Sequence, residues 1–246
     1  MNPMNTLDMA IQWNNEGIAR LLSGDDRSAV EAFSQSLSMV KTIHPSKDQS
    51  CTTSNTLPLA WKNLTTGVPS EADANQLCMA SFLFNRPVTC HEAIPLTGII
   101  QKDGDAFIYR NAFRLLSTGS STCNQESYNV YSACIVFNLA LVHYSHGTAL
   151  GVAKAEAMYG MILALLRGIP STNGTALLLR LAATNNISQI LYAKGDYRRA
   201  REGLNGLASI IYSSEEYYRC LFNAQEWDGL HQNILLLNPL RPAPAA

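Results

Sequence analysis

Two stretches of the first span decide the fold: Trp13-Asn14-Asn15-Glu16-Gly17 and Ser23-Gly24-Asp25-Asp26-Arg27-Ser28-Ala29-Val30-Glu31-Ala32-Phe33. Upstream and within, Leu7, Ala10, Ile11, Ile18, Leu21 and Leu22 recur at helical spacing, and Ala29, Val30, Phe33, Leu37 and Val40 form a second apolar stripe. Between them Gly24 supplies the left-handed conformation that ends one helix, and Asp25 or Asp26 caps the start of the next. The reading is two antiparallel helices around a glycine turn.

The same register recurs further along. Around Gly195, Asn186-Ile187-Ser188 takes the mid-helix place, and Ala200 and Leu204 follow after the turn. The helix before that turn runs through Leu178, Leu181, Ala182, Ile187, Ile190 and Leu191, with Thr175 as its expected cap; Leu207 and Ile211 complete the stripe after it. Around Gly147, Asn138-Leu139-Ala140 is mid-helix, with Ala155 and Tyr159 after the turn. Helices are expected over Tyr128–His146 and Ala153–Leu166, and a last one from about Ser214 to Leu236. Small residues at Gly17, Ala140 and Ser188, and at Ala29, Ala155 and Ala200, let neighbouring helices approach closely; a large apolar residue one turn on fills the space. Asn15, Asn138 and Asn186 share one register position. They can be read as a ladder that holds a ligand or as hydrogen bonds between stacked helices, and close packing makes the second the expectation.

The stretch Trp13–Gly17 with Ser23–Phe33 resembles a tetratricopeptide repeat, and Ala193-Lys194-Gly195-Asp196-Tyr197-Arg198-Arg199-Ala200 resembles the turn and second-helix start of another. The spacing departs from a regular array of about 34 residues, so the repeats are divergent and interrupted. The resemblance implies an all-α fold: a single antiparallel helix-hairpin stack over 1–246, with a small irregular or β-hairpin insertion at 45–120. It also implies a protein- or peptide-binding scaffold whose concave groove is lined by the first helix of each pair. Carried over position by position, the groove is Asn14, Ile18, Leu22, Leu141, Tyr144, Asn185, Gln189 and Tyr192. The Lys and Arg with which some family members clamp a carboxylate terminus are replaced here by Asn14, Phe137 and Asn185, which suits a neutral peptide or a partner helix.

Between the first pair and the rest, Pro45, Pro58, Pro69, Pro87 and Pro95 break helical pattern. Within this stretch Phe82–Val88 and Phe107–Phe113, rich in aromatic and β-branched residues, read either as a small antiparallel strand pair or as extended loops. Residues 239–246, rich in proline and alanine, read as a flexible tail.

Composition narrows the function classes. With 18 basic against 19 acidic residues the formal net charge is −1, which lacks the electrostatic footprint of a nucleic-acid binder or an anionic-membrane binder. Charged residues are only 15% of the chain, and such a weakly charged surface favours association, an oligomer included. No stretch reaches the roughly 18 apolar residues of a membrane span, and the first residues do not form a secretory leader. Cys51, Cys78, Cys90, Cys123, Cys134 and Cys220 lack C-x-x-C pairing and suit reduced, buried thiols. A cytoplasmic or nuclear protein is the expectation.

No catalytic constellation emerges. His91-Glu92 lacks the second histidine of a metalloprotease helix, and the glycines form no nucleotide-binding loop. His143 and His146 lack acidic or cysteine companions at metal-ligand spacing, and Cys78, Cys90 and His91 match no common zinc module. Neither a cofactor nor a metal is expected, and the chain is read as a binding protein rather than an enzyme. Two alternatives stand beside it: an enzyme whose site gathers around Cys90 and His91, and a constitutive subunit of a larger complex.

Overall fold

The computed structural model describes residues 6–43, 91–95, 107–116, 125–170, 173–213, 219 and 222–237. Among these the protein is mostly helical, with seven helices and two strands. The chain divides into two compact units. The first holds α1 (Thr6–Leu22), α2 (Asp26–Ile43), β1 (His91–Pro95), β2 (Asn111–Leu115), α3 (Gln125–Ser145) and α4 (Ala149–Leu165). The second holds α5 (Gly174–Ala193), α6 (Tyr197–Ser213), α7 (Ala224–Leu237) and the segment Phe107–Tyr109.

In the first unit α1 packs on α2 and α3 on α4, while α2 and β2 pack on α3. The seven buried residues of α1 are Leu7, Ala10, Ile11, Asn14, Gly17, Ile18 and Leu21, one face of a 3.6-residue helix with an asparagine in its middle. Gly17 lies against the fully buried Phe33; a Cβ there would stand 2.6 Å from the ring, so the absence of a side chain sets the approach. Ser36 Oγ donates to the Ala10 carbonyl at 2.7 Å. Helix α3 is buried nearly all round, from Val130 to Val142, which explains why its pattern is a run and not a stripe.

The turns follow the glycine logic. Gly24 and Gly195 have φ of 78° and 82°, and Gly147 has 63°. At the first, Gly24 N–H donates to Leu21 O and Asp25 N–H to Arg20 O; at the second, Gly195 N–H donates to Tyr192 O and Asp196 N–H to Leu191 O. This is the paired closure of helix carbonyls that a left-handed residue permits. In each case the next residue caps the following helix: Asp25 Oδ1 accepts from Ser28 N–H at 3.1 Å, and Asp196 Oδ1 from Arg199 N–H at 3.2 Å. Ala29, Phe33, Ala200 and Leu204 are all buried.

Several boundaries differ from the sequence expectation. Helix α5 is capped by Asn173, whose Oδ1 accepts from Ala176 N–H, and not by Thr175, which lies inside the helix and is buried. Helix α4 begins at Ala149, capped by Thr148, four residues before the expected start. Helix α7 begins at Ala224 because Asn223 and Glu226 form a reciprocal cap, Asn223 N–H to Glu226 Oε2 at 2.8 Å and Glu226 N–H to Asn223 Oδ1 at 2.9 Å. The strand pair exists with a different partner: β2 pairs antiparallel with His91–Pro95, in the register His91↔Leu115 to Pro95↔Asn111. Phe82–Val88, the partner expected from sequence, lies outside the described residues, as do the tail 239–246 and most of 45–120.

In the second unit α5 packs on α6, and α7 on both. Helix α5 is buried from Gly174 through Leu191 apart from Arg180, so Asn185 and Asn186 sit in a core.

Candidate functional site

An asparagine in an apolar stripe needs partners, because a buried carboxamide without hydrogen bonds is costly. In the first unit those partners are main chain. Asn138 Oδ1 accepts from Phe113 N–H at 2.8 Å, and its Nδ2 donates to Phe113 O at 3.0 Å. Asn15 does the same to Leu115, accepting its N–H at 3.0 Å and donating to its carbonyl at 2.9 Å. Asn14 ties the two together: it accepts from Asn138 Nδ2 at 2.9 Å and donates to Phe113 O at 3.0 Å and to Asn15 Oδ1 at 3.2 Å.

A carboxamide carries one acceptor and a pair of donors at the spacing of a peptide group, so each asparagine takes the place of a residue on a neighbouring strand. Successive residues of a strand turn their N–H and C=O groups to opposite edges. With Phe113 and Leu115 engaged by asparagines, the edge toward β1 falls to Ala112 and Arg114, opposite Ile94 and Glu92. Strand β2 is thus held on one edge by a strand and on the other by side chains from α1 and α3.

The second unit repeats this grip with the same chemistry. Asn186 accepts from Tyr109 N–H at 2.8 Å and donates to Tyr109 O at 2.9 Å. Asn233 accepts from Phe107 N–H at 2.9 Å and donates to Phe107 O at 2.6 Å. Asn185 bridges them, accepting from Asn233 Nδ2 at 2.7 Å and donating to Phe107 O at 3.1 Å and to Asn186 Oδ1 at 3.2 Å. In each unit an Asn-Asn pair and a lone asparagine from another helix close on an aromatic residue and on the residue two further along.

Side chains of the held residues enter separate sockets. The Phe113 ring meets Phe137 edge-on at 5.0 Å, and Phe137 in turn meets Tyr159 at 5.4 Å. The Phe107 ring lies on Gly229 so closely that any Cβ there would collide with it. Tyr109 is 1% exposed and meets Phe222 edge-on at 6.2 Å. Its hydroxyl also donates to Glu226, whose carboxyl is pushed above its ordinary range by burial, against the opposing pull of the Asn223 and Tyr109 hydrogen bonds. Beside the Leu115 end of the first grip an open cavity of about 500 Å³ is lined by Asp8, Ile11, Gln12, Asn15, Glu16, Arg114, Leu115 and Leu116.

The residues expected in the groove divide by environment. Asn14 and Asn185 are fully buried and bind the held main chain. Ile18 and Leu141 are core, and Gln189 is buried, its Nε2 without a partner among the described residues. Tyr144 is half-buried. Leu22 and Tyr192 are exposed, 50% and 39%, with the Tyr192 ring 5.0 Å from that of Tyr197. The register of Asn15, Asn138 and Asn186 reflects a shared role, which is to bind main chain, and at Asn138 the expected bond between helices is present as well, through Asn14. Asn233 belongs with them. Its signal was an asparagine flanked by Leu230 and Ile234, an uncapped polar position inside an apolar stripe.

Elsewhere His146 Nε2 lies 3.1 Å from Asp26 Oδ2, and His143 is held below its ordinary range by burial, with Lys154 and His146 adding repulsion. Among the described residues no group of His, Cys, Asp and Glu is arranged to hold a metal, and no helix is long and apolar enough to cross a membrane. Cys90 lies outside the described residues, and His91 is placed by its main chain alone. No protein-family model, curated protein or solved structure matches this chain.

Proposed function

We propose that the protein is a tetratricopeptide-like interaction module, a non-enzymatic scaffold of antiparallel helix pairs that binds a protein or peptide on the face of their first helices. The observation that carries this reading is the asparagine grip, which takes both the N–H and the C=O of alternate residues. Such contacts ask only for an extended chain, the chemistry by which a peptide docks as an added strand. The helix pairing is supported by the contacts of Ala10 with Ser36 and of Gly17 with Phe33, which converge toward the turn at Gly24. It is supported further by the repetition of that turn, cap and small residue at Gly195, Asp196 and Ala200.

Leu22 and Tyr192 are the exposed members of the expected groove. Peptides selected from a random display library on the purified full chain should therefore lose at least ten-fold in affinity on Leu22→Ser where they seat on the first unit, and on Tyr192→Ser where they seat on the second. Both exposed substitutions should leave the helical circular dichroism intact. Selected peptides that bind the two variants as tightly as the parent would refute the placement of the partner on this face.

A further inference from the structure

The stretches held in the two units are neighbouring parts of one segment. Phe107 and Tyr109 are taken by Asn185, Asn186 and Asn233 in the second unit, and Phe113 and Leu115 by Asn14, Asn15 and Asn138 in the first. The division between the units falls between Tyr109 and Arg110. Only Arg110, Asn111 and Ala112 separate the last residue held on one side from the first held on the other. Four steps of extended chain, from Tyr109 to Phe113, reach about 14 Å at most. The span has little slack to give up. Ala112 is fully buried, and Asn111 is fixed opposite Pro95 in the strand ladder. Each clamp takes both the N–H and the C=O of the residues it holds, so each fixes the path of the main chain and not merely the place of a side chain.

We propose that residues 107–115 are a strap clamped at both ends, through which the two units are thermodynamically coupled: closing either clamp favours the other, and loosening either loosens both. The reason is entropic. A segment free at both ends must give up its backbone freedom to the first clamp that takes it. Once one end is held, the other is presented to its own clamp across three residues, at an effective concentration on the order of millimolar. A clamp that opens therefore leaves its counterpart to order the span alone. Coupling of this kind is reciprocal: the factor by which the first clamp helps the second is the factor by which the second helps the first. It runs along the chain itself, and it stands independently of what the protein binds. Its consequence is regulatory. An event that tightens or loosens one unit's hold on the strap is felt as a change in the other unit's hold.

Native-state hydrogen exchange of the full chain reads each clamp directly, because the amides of Phe107 and Tyr109 report the second unit's clamp and those of Phe113 and Leu115 the first unit's. Asn186→Leu, in the second unit, should speed exchange of Phe113 and Leu115 by about ten-fold, and Asn138→Leu should speed Phe107 and Tyr109 by a similar factor. Buried residues away from the strap, Phe33 in α2 and Leu204 in α6, should keep the parent's amide exchange rate. Inserting about twelve Gly and Ser residues between Arg110 and Asn111 lengthens the span and lowers the effective concentration about ten-fold, so the cross-effects should shrink toward nothing. If a substituted chain fails to fold, the insertion alone carries the test: it should by itself speed exchange at all four strap amides by about ten-fold. Parent-like exchange of Phe113 and Leu115 in Asn186→Leu, or of all four amides in the inserted chain, overturns the proposal. Acceleration that reaches Phe33 and Leu204 equally overturns it too, because a general loss of stability would then account for the change. Cross-effects that survive the insertion undiminished overturn it as well, since the coupling would not run through the strap.

Discussion

Replacing Asn138 by leucine isolates the contribution of one asparagine to the held strand. The side chain is fully buried, branched like leucine though smaller, and makes three hydrogen bonds: from Phe113 N–H, to Phe113 O and to Asn14 Oδ1. The Phe113 carbonyl keeps the bond from Asn14 Nδ2. Phe113 N–H and Asn14 Oδ1 lose the partner that Asn138 gave them. A buried polar group deprived of its partner costs about 1–3 kcal/mol, so the substitution should destabilise by about 2–6 kcal/mol. Against a total stability of about 5–15 kcal/mol for an ordinary domain, that is a large fraction. Urea unfolding followed by far-ultraviolet circular dichroism measures it directly. A double-mutant cycle with Asn14→Ala should show coupling above about 0.5 kcal/mol, since the two residues share both a bond and a carbonyl. A loss below about 0.5 kcal/mol for Asn138→Leu, the range of an uninvolved surface change, would refute the claim that the carboxamide holds the strand.

Other expectations follow from named features. Gly24→Ala should cost about 1–2 kcal/mol through backbone conformation alone, because φ is 78° and no atom stands within 4 Å of the added Cβ; thermal or urea unfolding checks it, and Gly24→Asn should recover part of the loss. Gly17→Ala should cost about 1–3 kcal/mol for a different reason, displacement of the Phe33 ring, and Phe33→Leu in the same chain should relieve it. Burial raises the Glu226 carboxyl above its ordinary 4.5, so the folded state holds that proton more tightly than the unfolded one. Its contribution to stability is full below about 4.5 and is lost as pH rises through the folded value; Glu226→Gln should flatten that part of the stability–pH profile. His143 is displaced the other way from 6.5, so its contribution is present above that value and lost as pH falls through the folded one. His143→Gln should remove the acid loss, measured by unfolding midpoints across the same pH series.

What the sequence makes legible here depends on how local the cause is. The turns at Gly24, Gly147 and Gly195 are local, fixed by a left-handed residue and a capping aspartate or threonine, and all three stand where the pattern puts them. The common register of Asn15, Asn138 and Asn186 is also local, and it is visible. Its purpose is not, because the partner of Asn15 lies 100 residues away and that of Asn138 25 residues away in the other direction. Without that partner, an asparagine among apolar residues looks like a helix-to-helix contact. The pairing of β2 with His91–Pro95 is hidden for the same reason. His91-Glu92-Ala93-Ile94-Pro95 carries little strand propensity of its own, and it is a strand because β2 offers it an edge. Asn173 as the cap of α5 lost out in the reading to Thr175, a residue of equal capping chemistry two positions on.

The held segment also sets an order on folding. Phe107 is gripped by Asn233, 126 residues later, and Leu115 by Asn15, 100 residues earlier. A chain growing from its N-terminus brings Asn15 out long before the residue it will hold, and brings Asn233 out long after. The N-terminal pair of helices must wait with a polar gap in its apolar face, and the Phe107 grip cannot close until α7 has emerged. Contacts of such sequence separation form slowly. A nascent chain stalled before residue 233 would therefore carry an aromatic segment with its last bond donor missing, the kind of species that chaperones hold.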